Sequence, residues 1–241
     1  MSTPATAVVA VDGPSGSGKS SVSRGVARAL GLRYLDTGAM YRAITWAVLR
    51  DGADVHDAEA VASTARTVRL TWSTDPDESG IEVDGTDVSR TIREEAVTSG
   101  VSAVAAEPRA RAVLVDLQRR AVADALAAGQ GIVVEGRDIG SVVLPDADVK
   151  VWLVADPAVR AARRASEDAA AGRLAAAARV AAEPVLDAVA ADLARRDALD
   201  AGRAASPTTQ AEDAVVVDAT HLGLAEVIDV VVGLVRDRTD P

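Results

Sequence analysis

A glycine-rich segment followed by a lysine and a serine carries the clearest chemistry in this sequence. Residues 13–20 read GPSGSGKS, which fits the pattern GxxxxGKS. An apolar run at residues 8–11 precedes the segment and a helix-compatible stretch follows it as far as Leu30, which is the setting of a phosphate-binding loop. Glycines let successive backbone N–H groups point at one anion, and the helix adds its positive N-terminal end. We expect Lys19 to contact the outer phosphates of a nucleoside triphosphate and the Ser20 hydroxyl to bind Mg²⁺.

A second group of polar side chains follows the next apolar run. Residues 33–36 predict a short strand, and Thr37 suits the N-cap of a helix that continues to about Arg50. Tyr41 and Arg42 then lie one turn into this helix, near the carboxyl end of the strand, where open α/β sheets bind ligands. Arg42 could bind a second phosphate group and Tyr41 could pack on a sugar or base. A solvated surface arginine is the alternative interpretation of Arg42.

A third group follows the apolar run at residues 132–135. Here Arg137 and Asp138 lie between two glycines in the segment EGRDIG. A guanidinium donates to phosphate oxygens, and a carboxylate accepts from an amine. The pair therefore indicates a charged or amide-bearing ligand, with a local ion pair as the alternative. Glu135 is a candidate for binding a water molecule on Mg²⁺.

A late helical segment adds charges on one face. Arg196, Asp200 and Arg203 follow each other at i, i+4 and i+7, so they lie on the same side of a helix. A solvated ladder of salt bridges is the alternative. With Arg42 and Arg137, however, these arginines form an excess of cations that a second phosphate-bearing substrate would explain. Phosphoryl transfer requires alignment, charge neutralisation and exclusion of water, and a mobile arm carrying Arg196 and Arg203 would supply the last two.

The elements that must position these residues follow from five apolar runs. They begin near Val8, Arg33, Ile132, Val149 and Ala214, and helical segments alternate with them. This alternation predicts a three-layer α/β fold around a five-stranded parallel sheet. Alternating segments within residues 68–88, with an Asp-Gly turn, predict a small antiparallel β insert. Further helices are expected at residues 54–66, 92–106 and 108–128.

Composition narrows the class of protein. The chain has 241 residues, a formal net charge of −10 and a pI of about 4.7, so a basic nucleic-acid-binding surface is not expected. It has no Cys, which excludes a disulfide framework and thiolate metal sites. No apolar run approaches the roughly 20 residues of a membrane span, and residues 1–6 do not read as a signal peptide. We expect a cytoplasmic monomer that acts on small molecules, with no nucleic-acid or membrane partner.

Four motifs, in chain order, make the sequence similar to a known family. They are DGPSGSGKS, LDTGAMYR, EGRDIG and RDALDAGRAASP, and they closely resemble the bacterial cytidylate kinases. The first motif is generic, the other three together are specific, and the likeness covers nearly the whole chain, including the β insert. The resemblance implies a P-loop kinase fold with a helical lid. It also implies transfer of the γ-phosphate of ATP to CMP, and to dCMP, with Mg²⁺ as cofactor.

The resemblance further implies roles for individual residues. Those implied to bind ATP are Gly13, Pro14, Ser15, Gly16, Ser17, Gly18, Lys19, Ser20, Ser21 and Arg164, with Ser20 binding Mg²⁺ together with waters. Those implied to bind CMP are Thr37, Tyr41, Arg42, Ser102, Arg111, Arg137, Asp138 and Asp200. Within that set, Ser102, Arg111 and Asp138 would read cytosine and Asp200 would bind the sugar. Lys19, Arg137, Arg196 and Arg203 are implied to stabilise the migrating phosphoryl group.

The same resemblance divides the chain into parts. Residues 1–66, 108–164 and 204–241 would form the P-loop core, residues 67–107 the nucleoside-monophosphate-binding insert and residues 165–203 the lid. Two other functions stay open. One is a P-loop kinase for another small phosphorylated or hydroxylated metabolite, such as UMP, shikimate or dephospho-coenzyme A. The other is a P-loop switch or motor, which would need a guanine-reading Asn/Thr-Lys-x-Asp motif, and neither Lys19 nor Lys150 lies in one.

Overall fold

The computed structural model describes residues 6–78, 80–170, 182–202 and 208–239. The strands of these residues are β1 Val8–Asp12, β2 Arg33–Asp36, β3 Leu70–Trp72, β4 Ile81–Val83, β5 Thr86–Asp87, β6 Ile132–Glu135, β7 Val149–Val154 and β8 Val215–Asp218. The α-helices are α1 Lys19–Leu30, α2 Thr37–Arg50, α3 Ala58–Thr67, α4 Glu95–Ala106, α5 Pro108–Ala127, α6 Pro157–Ala170, α7 Ala182–Ala201 and α8 Leu224–Thr239. A 3-10 turn, Thr91–Arg93, precedes α4, and a π-helical turn, Ile139–Val143, follows β6.

The predicted five-stranded parallel sheet is confirmed. Its strand order is β2-β6-β1-β7-β8, and each neighbouring pair runs parallel. Because β6 lies between β2 and β1, its last residue, Glu135, pairs with both Asp36 and Val11. The carboxyl ends of the first two strands of the chain therefore meet the GRD segment at one edge of the sheet.

Helices cover both faces of this sheet and give the predicted three layers. Val9 and Val11 of β1 point to the face covered by α1 and α8, whereas Val8 and Ala10 point to the face covered by α2, α3 and α5. Strands buried on both faces need apolar residues throughout, and all five residues of β1 are buried. The chain has no Phe, so these two interiors are filled mainly by Val, Ala, Leu and Ile.

The β insert is also confirmed, as a three-stranded sheet in the order β3-β4-β5 with antiparallel pairs. Ile81 and Val83 of β4 are buried against the α2 side of the main core, while Glu82 between them is exposed. The insert also contacts the edge strand of the main sheet, because the Tyr34 backbone N–H donates to the Thr74 carbonyl at 2.9 Å. The insert is thus attached directly to the core that carries the sheet.

Three helix starts differ from the sequence expectations. The helix expected from residue 92 begins at Glu95, because the extended backbone of Glu94 separates it from the 3-10 turn Thr91–Arg93. The helix expected from residue 54 begins at Ala58, because the Asp57 carboxylate accepts from two backbone N–H groups of the first turn and caps it there. Thr37, expected as an N-cap, is the first residue of α2, and Asp36 is the cap. The Thr37 hydroxyl instead donates to the Glu135 carbonyl at 2.6 Å. It therefore ties α2 to the end of β6.

The predicted helical lid corresponds to the end of α6 and to α7, which pack against each other. Residues 171–181 and Arg203, both included in that expectation, lie outside the described residues. The proposed division of the chain into core, insert and lid stays a prediction. Among the described residues, no helix combines the length and apolarity that crossing a bilayer requires.

Candidate active site

The glycine-rich loop joins the end of β1 to the start of α1, as predicted. Gly13 opens it with a φ of 148°, in the region that favours glycine. A Cβ at Gly13 would lie 2.1 Å from the Leu153 carbonyl oxygen of the neighbouring strand β7. The loop can therefore pack directly on the backbone of β7 only because its first residue has no side chain.

Lys19 is buried and turned back onto this loop. Its Nζ donates to the carbonyls of Gly13 at 2.8 Å and Pro14 at 2.7 Å. Burial lowers the pKa of Lys19 to about 7, and the nearby Arg137 guanidinium acts in the same direction, whereas the Glu135 carboxylate opposes them. An added anion at this position would stabilise the charged ammonium.

One cavity of about 500 Å³ opens beside the loop. Most of the residues that the sequence singled out line it: Ser15, Gly16, Gly18, Lys19, Ser20, Ser21, Thr37, Tyr41, Arg42, Ser102, Arg111, Arg137, Asp138, Arg164, Arg196 and Asp200. Gly13, Pro14 and Ser17 do not line the cavity and belong to the loop behind it. The structure therefore brings together segments that lie up to 185 residues apart, from Ser15 to Asp200, along the chain.

At one end of the cavity, Arg111 and Asp138 form a buried ion pair. The Arg111 guanidinium carbon lies 5.7 Å from the centre of the Tyr41 ring. The Nε of Arg111 is buried without a hydrogen-bond partner among the described residues. A guanidinium, a carboxylate and a ring that meet in one buried place supply donors, acceptors and a flat surface, which are the groups that recognise an amide-bearing planar ring.

Arg137 connects the two halves of the cavity. Its three nitrogens donate to the Asp200 carboxylate at 2.9 Å, to the Gly13 carbonyl at 2.9 Å and to the Ser15 hydroxyl at 2.6 Å. The Ser102 hydroxyl lies 3.4 Å from the other oxygen of the Asp200 carboxylate. Arg137 thus spans from the phosphate-binding loop to α7.

Two further arginines of the cavity lie close to other cations. Burial lowers the pKa of Arg42 to about 9. The guanidinium of Arg196 lowers this pKa further, whereas the Asp36 carboxylate raises it. Burial also lowers the pKa of Arg196, which forms an ion pair with Asp192 at 3.7 Å. Buried cations with incomplete compensation indicate a site that binds an anion, and such perturbed groups gather at functional sites.

Glu135, the last residue of β6, lies close to Lys19 and Ser20. The Tyr34 hydroxyl donates to its carboxylate at 2.5 Å. Burial raises the pKa of Glu135, and the carboxylate of Asp36 adds to this, whereas Tyr34, Lys19 and the Ser20 hydroxyl oppose it. The carboxylate and the Ser20 hydroxyl are oxygen ligands of the kind that Mg²⁺ prefers.

Arg164, assigned to ATP from the resemblance, lies on α6 at the rim of the cavity. Its Nε donates to Asp168, one turn further along α6, at 3.0 Å. Arg163, its neighbour, instead donates to the carbonyls of Ser17 at 3.4 Å and Ala219 at 2.6 Å. Arg163 therefore connects the phosphate-binding loop to the segment after β8, a contact that the sequence did not indicate.

Two aspartates of the site were missed. Asp12 is buried and accepts from the backbone N–H groups of Ile139 and Gly140, both at 2.8 Å. Burial raises its pKa to about 6, although these two N–H groups oppose the shift. Asp197 of α7 accepts from the Ser15 backbone N–H at 2.9 Å. Asp197 directly follows Arg196, and its place beside a predicted functional face was the one signal available in the sequence.

The fold and the cavity define a P-loop protein with a second polar site beside its phosphate-binding loop. The family model described as cytidylate kinase matches residues 9–237. A cytidylate kinase of Mycolicibacterium paratuberculosis is 52% identical over 234 residues, which are 97% of this chain and 96% of the relative. Cytidylate kinases of Streptomyces griseus and Nocardia farcinica are 50% and 52% identical, over 96% and 95% of this chain and 93% of each relative. The chain belongs to the cytidylate kinase family.

Proposed function

We propose that this protein transfers the γ-phosphate of ATP to CMP, and also to dCMP, giving ADP and CDP or dCDP. The observation that carries the proposal is the single cavity in which the phosphate-binding loop and the arginine-rich second site face each other. The relatives named above are cytidylate kinases, and this supports the choice of acceptor. We also retain the predictions of a cytoplasmic location and a monomeric state.

On the donor side, ATP is bound by the loop. The residues assigned to it are Gly13, Pro14, Ser15, Gly16, Ser17, Gly18, Lys19, Ser20, Ser21 and Arg164. Lys19 leaves the Gly13 and Pro14 carbonyls and turns to the outer phosphates, where its charge is stabilised. The Ser20 hydroxyl, with Glu135 behind it, suits Mg²⁺, and this ion, when bound, neutralises part of the phosphate charge.

On the acceptor side, CMP is bound by side chains from separate elements. Ser102, Arg111 and Asp138 are assigned to cytosine, whose exocyclic amine can donate to a carboxylate. Thr37, Tyr41 and Arg42 are assigned to the phosphate and sugar, and Asp200 to the sugar hydroxyls. The buried Arg111–Asp138 pair and its contact with Tyr41 support the assignment of the base subsite.

The chemistry requires little more than alignment and charge neutralisation. A phosphate oxygen of CMP attacks the γ-phosphorus in line, the bond to ADP breaks, and no covalent enzyme intermediate forms. The attacking phosphate, with a second pKa of about 6, is largely dianionic at neutral pH, so no strong general base is needed. Lys19, Arg137 and Arg196 stabilise the migrating charge, and Arg203, which lies outside the described residues, is assigned the same role from the sequence.

The test is a coupled assay of ADP release with ATP and each acceptor in turn. We expect turnover with CMP and dCMP to exceed turnover with UMP, AMP, shikimate and dephospho-coenzyme A. Direct measurement of CDP excludes simple ATP hydrolysis as the source of ADP. If calorimetry shows binding of ATP but of no pyrimidine monophosphate, the proposal is wrong.

A further inference from the structure

We propose that Asp197 is a positioning residue that holds α7 on the phosphate-binding loop and thereby sets the places of Arg196 and Asp200. This inference rests on the proposed function, because Arg196 and Asp200 are assigned there to phosphate and sugar. Asp197 does not line the cavity: its partners are the Ser15 backbone N–H, on the loop assigned to ATP, and Arg160 of α6.

The contact closes a ring of three groups, which we term the docking contact: Ser15, Arg160 and Asp197. One carboxylate oxygen of Asp197 accepts from the Ser15 N–H at 2.9 Å, and the other accepts from an Arg160 nitrogen at 2.5 Å. The same Arg160 nitrogen donates to the Ser15 carbonyl at 2.9 Å. Three elements, the loop, α6 and α7, are therefore joined at one residue of the loop.

Apolar packing contributes little to holding α7 in place over the cavity. Of the α7 side chains that the structure describes, Leu193 is the only apolar one that is fully buried. It packs closely on the loop, since a Cβ at Gly16 would lie 3.3 Å from a Leu193 methyl. Elements with few buried apolar contacts open at low free energy. Polar contacts must then decide how closely α7 sits over the cavity, and the docking contact is the one made to the loop backbone.

The charge balance of the contact suits a place beside phosphates. A lone carboxylate next to an incoming triphosphate would repel it, but Arg160 neutralises Asp197 and remains largely covered, with a side-chain exposure of 12%. The Asp200 carboxylate, by contrast, contacts Ser102 and Arg137, which are both assigned to CMP. Asp197 can therefore keep its contact through the reaction while the partners of Asp200 change.

The experiment compares Asp197→Ala, Arg160→Ala and the double variant in CDP formation and in ATP hydrolysis without CMP. We expect Asp197→Ala to lower kcat about 10- to 100-fold, because a displacement of about 1 Å at reacting groups costs about 100-fold. The KM for ATP should change less than about threefold. The ratio of ATP hydrolysis to CDP formation, which we call the hydrolysis share, should rise because α7 no longer excludes water. The double variant should be no worse than the worse single variant, since residues of one contact are not additive.

Two further variants separate positioning from general destabilisation. Asp197→Asn keeps an oxygen for the Ser15 N–H and should recover part of the lost kcat. Asp187→Ala removes an exposed aspartate of the same helix and should leave both activities unchanged. The proposal is overturned if Asp197→Ala keeps its kcat, if the losses of the two single variants multiply in the double variant, or if the hydrolysis share does not change.

A measurement without substrates keeps this inference distinct from the proposed function. Hydrogen–deuterium exchange of the α7 amides should be faster in Asp197→Ala than in the wild-type chain, while exchange in β1 stays the same. Absence of CDP formation by the wild-type chain would remove the proposed function but leave this result standing. Unchanged α7 exchange would remove the docking contact whatever the enzyme phosphorylates.

Discussion

The donor side and the acceptor side of the cavity are built in different ways. The side proposed for the donor is mainly one continuous loop, residues 13–20, which offers backbone N–H groups whose directions the fold fixes. The acceptor side consists of side chains from α2, α4, α5, the segment after β6, and α7. Backbone donors carry no net charge that burial could penalise, whereas buried guanidinium groups must be compensated before a substrate arrives.

The internal carboxylates show how the acceptor side is compensated. Asp138 pairs with Arg111, and Asp200 pairs with Arg137, so these cations are held in place in the absence of phosphate. The donor side has one ammonium instead, which is folded back on two carbonyls of its own loop. We therefore expect substitutions on the donor side to affect every acceptor equally, and substitutions on the acceptor side to change the choice among acceptors.

The largest expected effect is that of Lys19→Ala on the donor side. Loss of the cation from the migrating phosphate should lower kcat about 100- to 1,000-fold or more, with CMP and dCMP affected equally. The control is Lys150→Met, the other lysine of the chain, whose ammonium pairs with Asp213; it should stay within a few-fold of wild type. Near-normal CDP formation by Lys19→Ala would contradict the assignment.

The next effect, on the acceptor side, is that of Asp138→Ala on base choice. We expect the ratio of kcat/KM for CMP to that for UMP to fall about 10- to 100-fold, because one buried hydrogen-bonded pair carries that discrimination, while the KM for ATP stays within about threefold. Leaving Arg111 buried without its carboxylate should also cost about 3–5 kcal/mol of stability by chemical denaturation. Equal losses with CMP and UMP in the folded variant would argue against a base-reading role.

Gly13→Ala should disturb the donor side through the backbone alone. Its Cβ would overlap the Leu153 carbonyl, and its φ is unfavourable for alanine, so we expect a loss of about 3 kcal/mol or more and weaker ATP binding. Gly233→Ala in α8 is the matched control, because nothing lies within 4 Å of its added Cβ. It should instead gain about 0.5–1 kcal/mol in thermal or chemical unfolding.

The smallest expected effect is the uptake of a proton by the protein when ATP binds. With a pKa of about 7, Lys19 is mostly neutral at pH 8 in the free protein, and the triphosphate should restore its charge. The number of protons taken up when MgATP binds at pH 8 should therefore be positive and at most one. Calorimetry in buffers of different ionisation enthalpy measures this number, and it should vanish in Lys19→Met. An identical proton count in both proteins would refute the expected change in Lys19.

Contiguous features could be predicted from the sequence. The loop, the parallel strands and the β insert follow from residues that lie next to each other, such as the glycines of 13–20 and the alternation of Ile81, Glu82 and Val83. Arg137 and Arg42 could be proposed because each follows a predicted strand. The assignment of Ser102 and Arg111 came from the family resemblance, since nothing in their own surroundings indicates a base.

Contacts between distant segments could not be predicted. Asp36 and Thr37 both suit an N-cap, and the choice between them depends on the Glu135 carbonyl, 98 residues away from Thr37. Asp197 binds the loop at Ser15, 182 residues away. The role of Asp12 likewise depends on a distant segment, because its carboxylate accepts from backbone N–H groups of the π-helical turn after β6. Each of these depends on which strand lies beside which, and local residue patterns do not contain that information.

The place of β6 between β1 and β2 also has a consequence for biosynthesis. The ribosome delivers β1 and β2 first, and neither obtains its shared neighbour until Ile132–Glu135 has been made. At about 5–20 residues per second, the interval from Asp36 to Ile132 lasts roughly 5–20 seconds. Throughout that time the apolar strand β1, with Val8, Val9 and Val11, lacks the partner that β6 later provides, so slow translation without chaperones should lower the yield of folded chain.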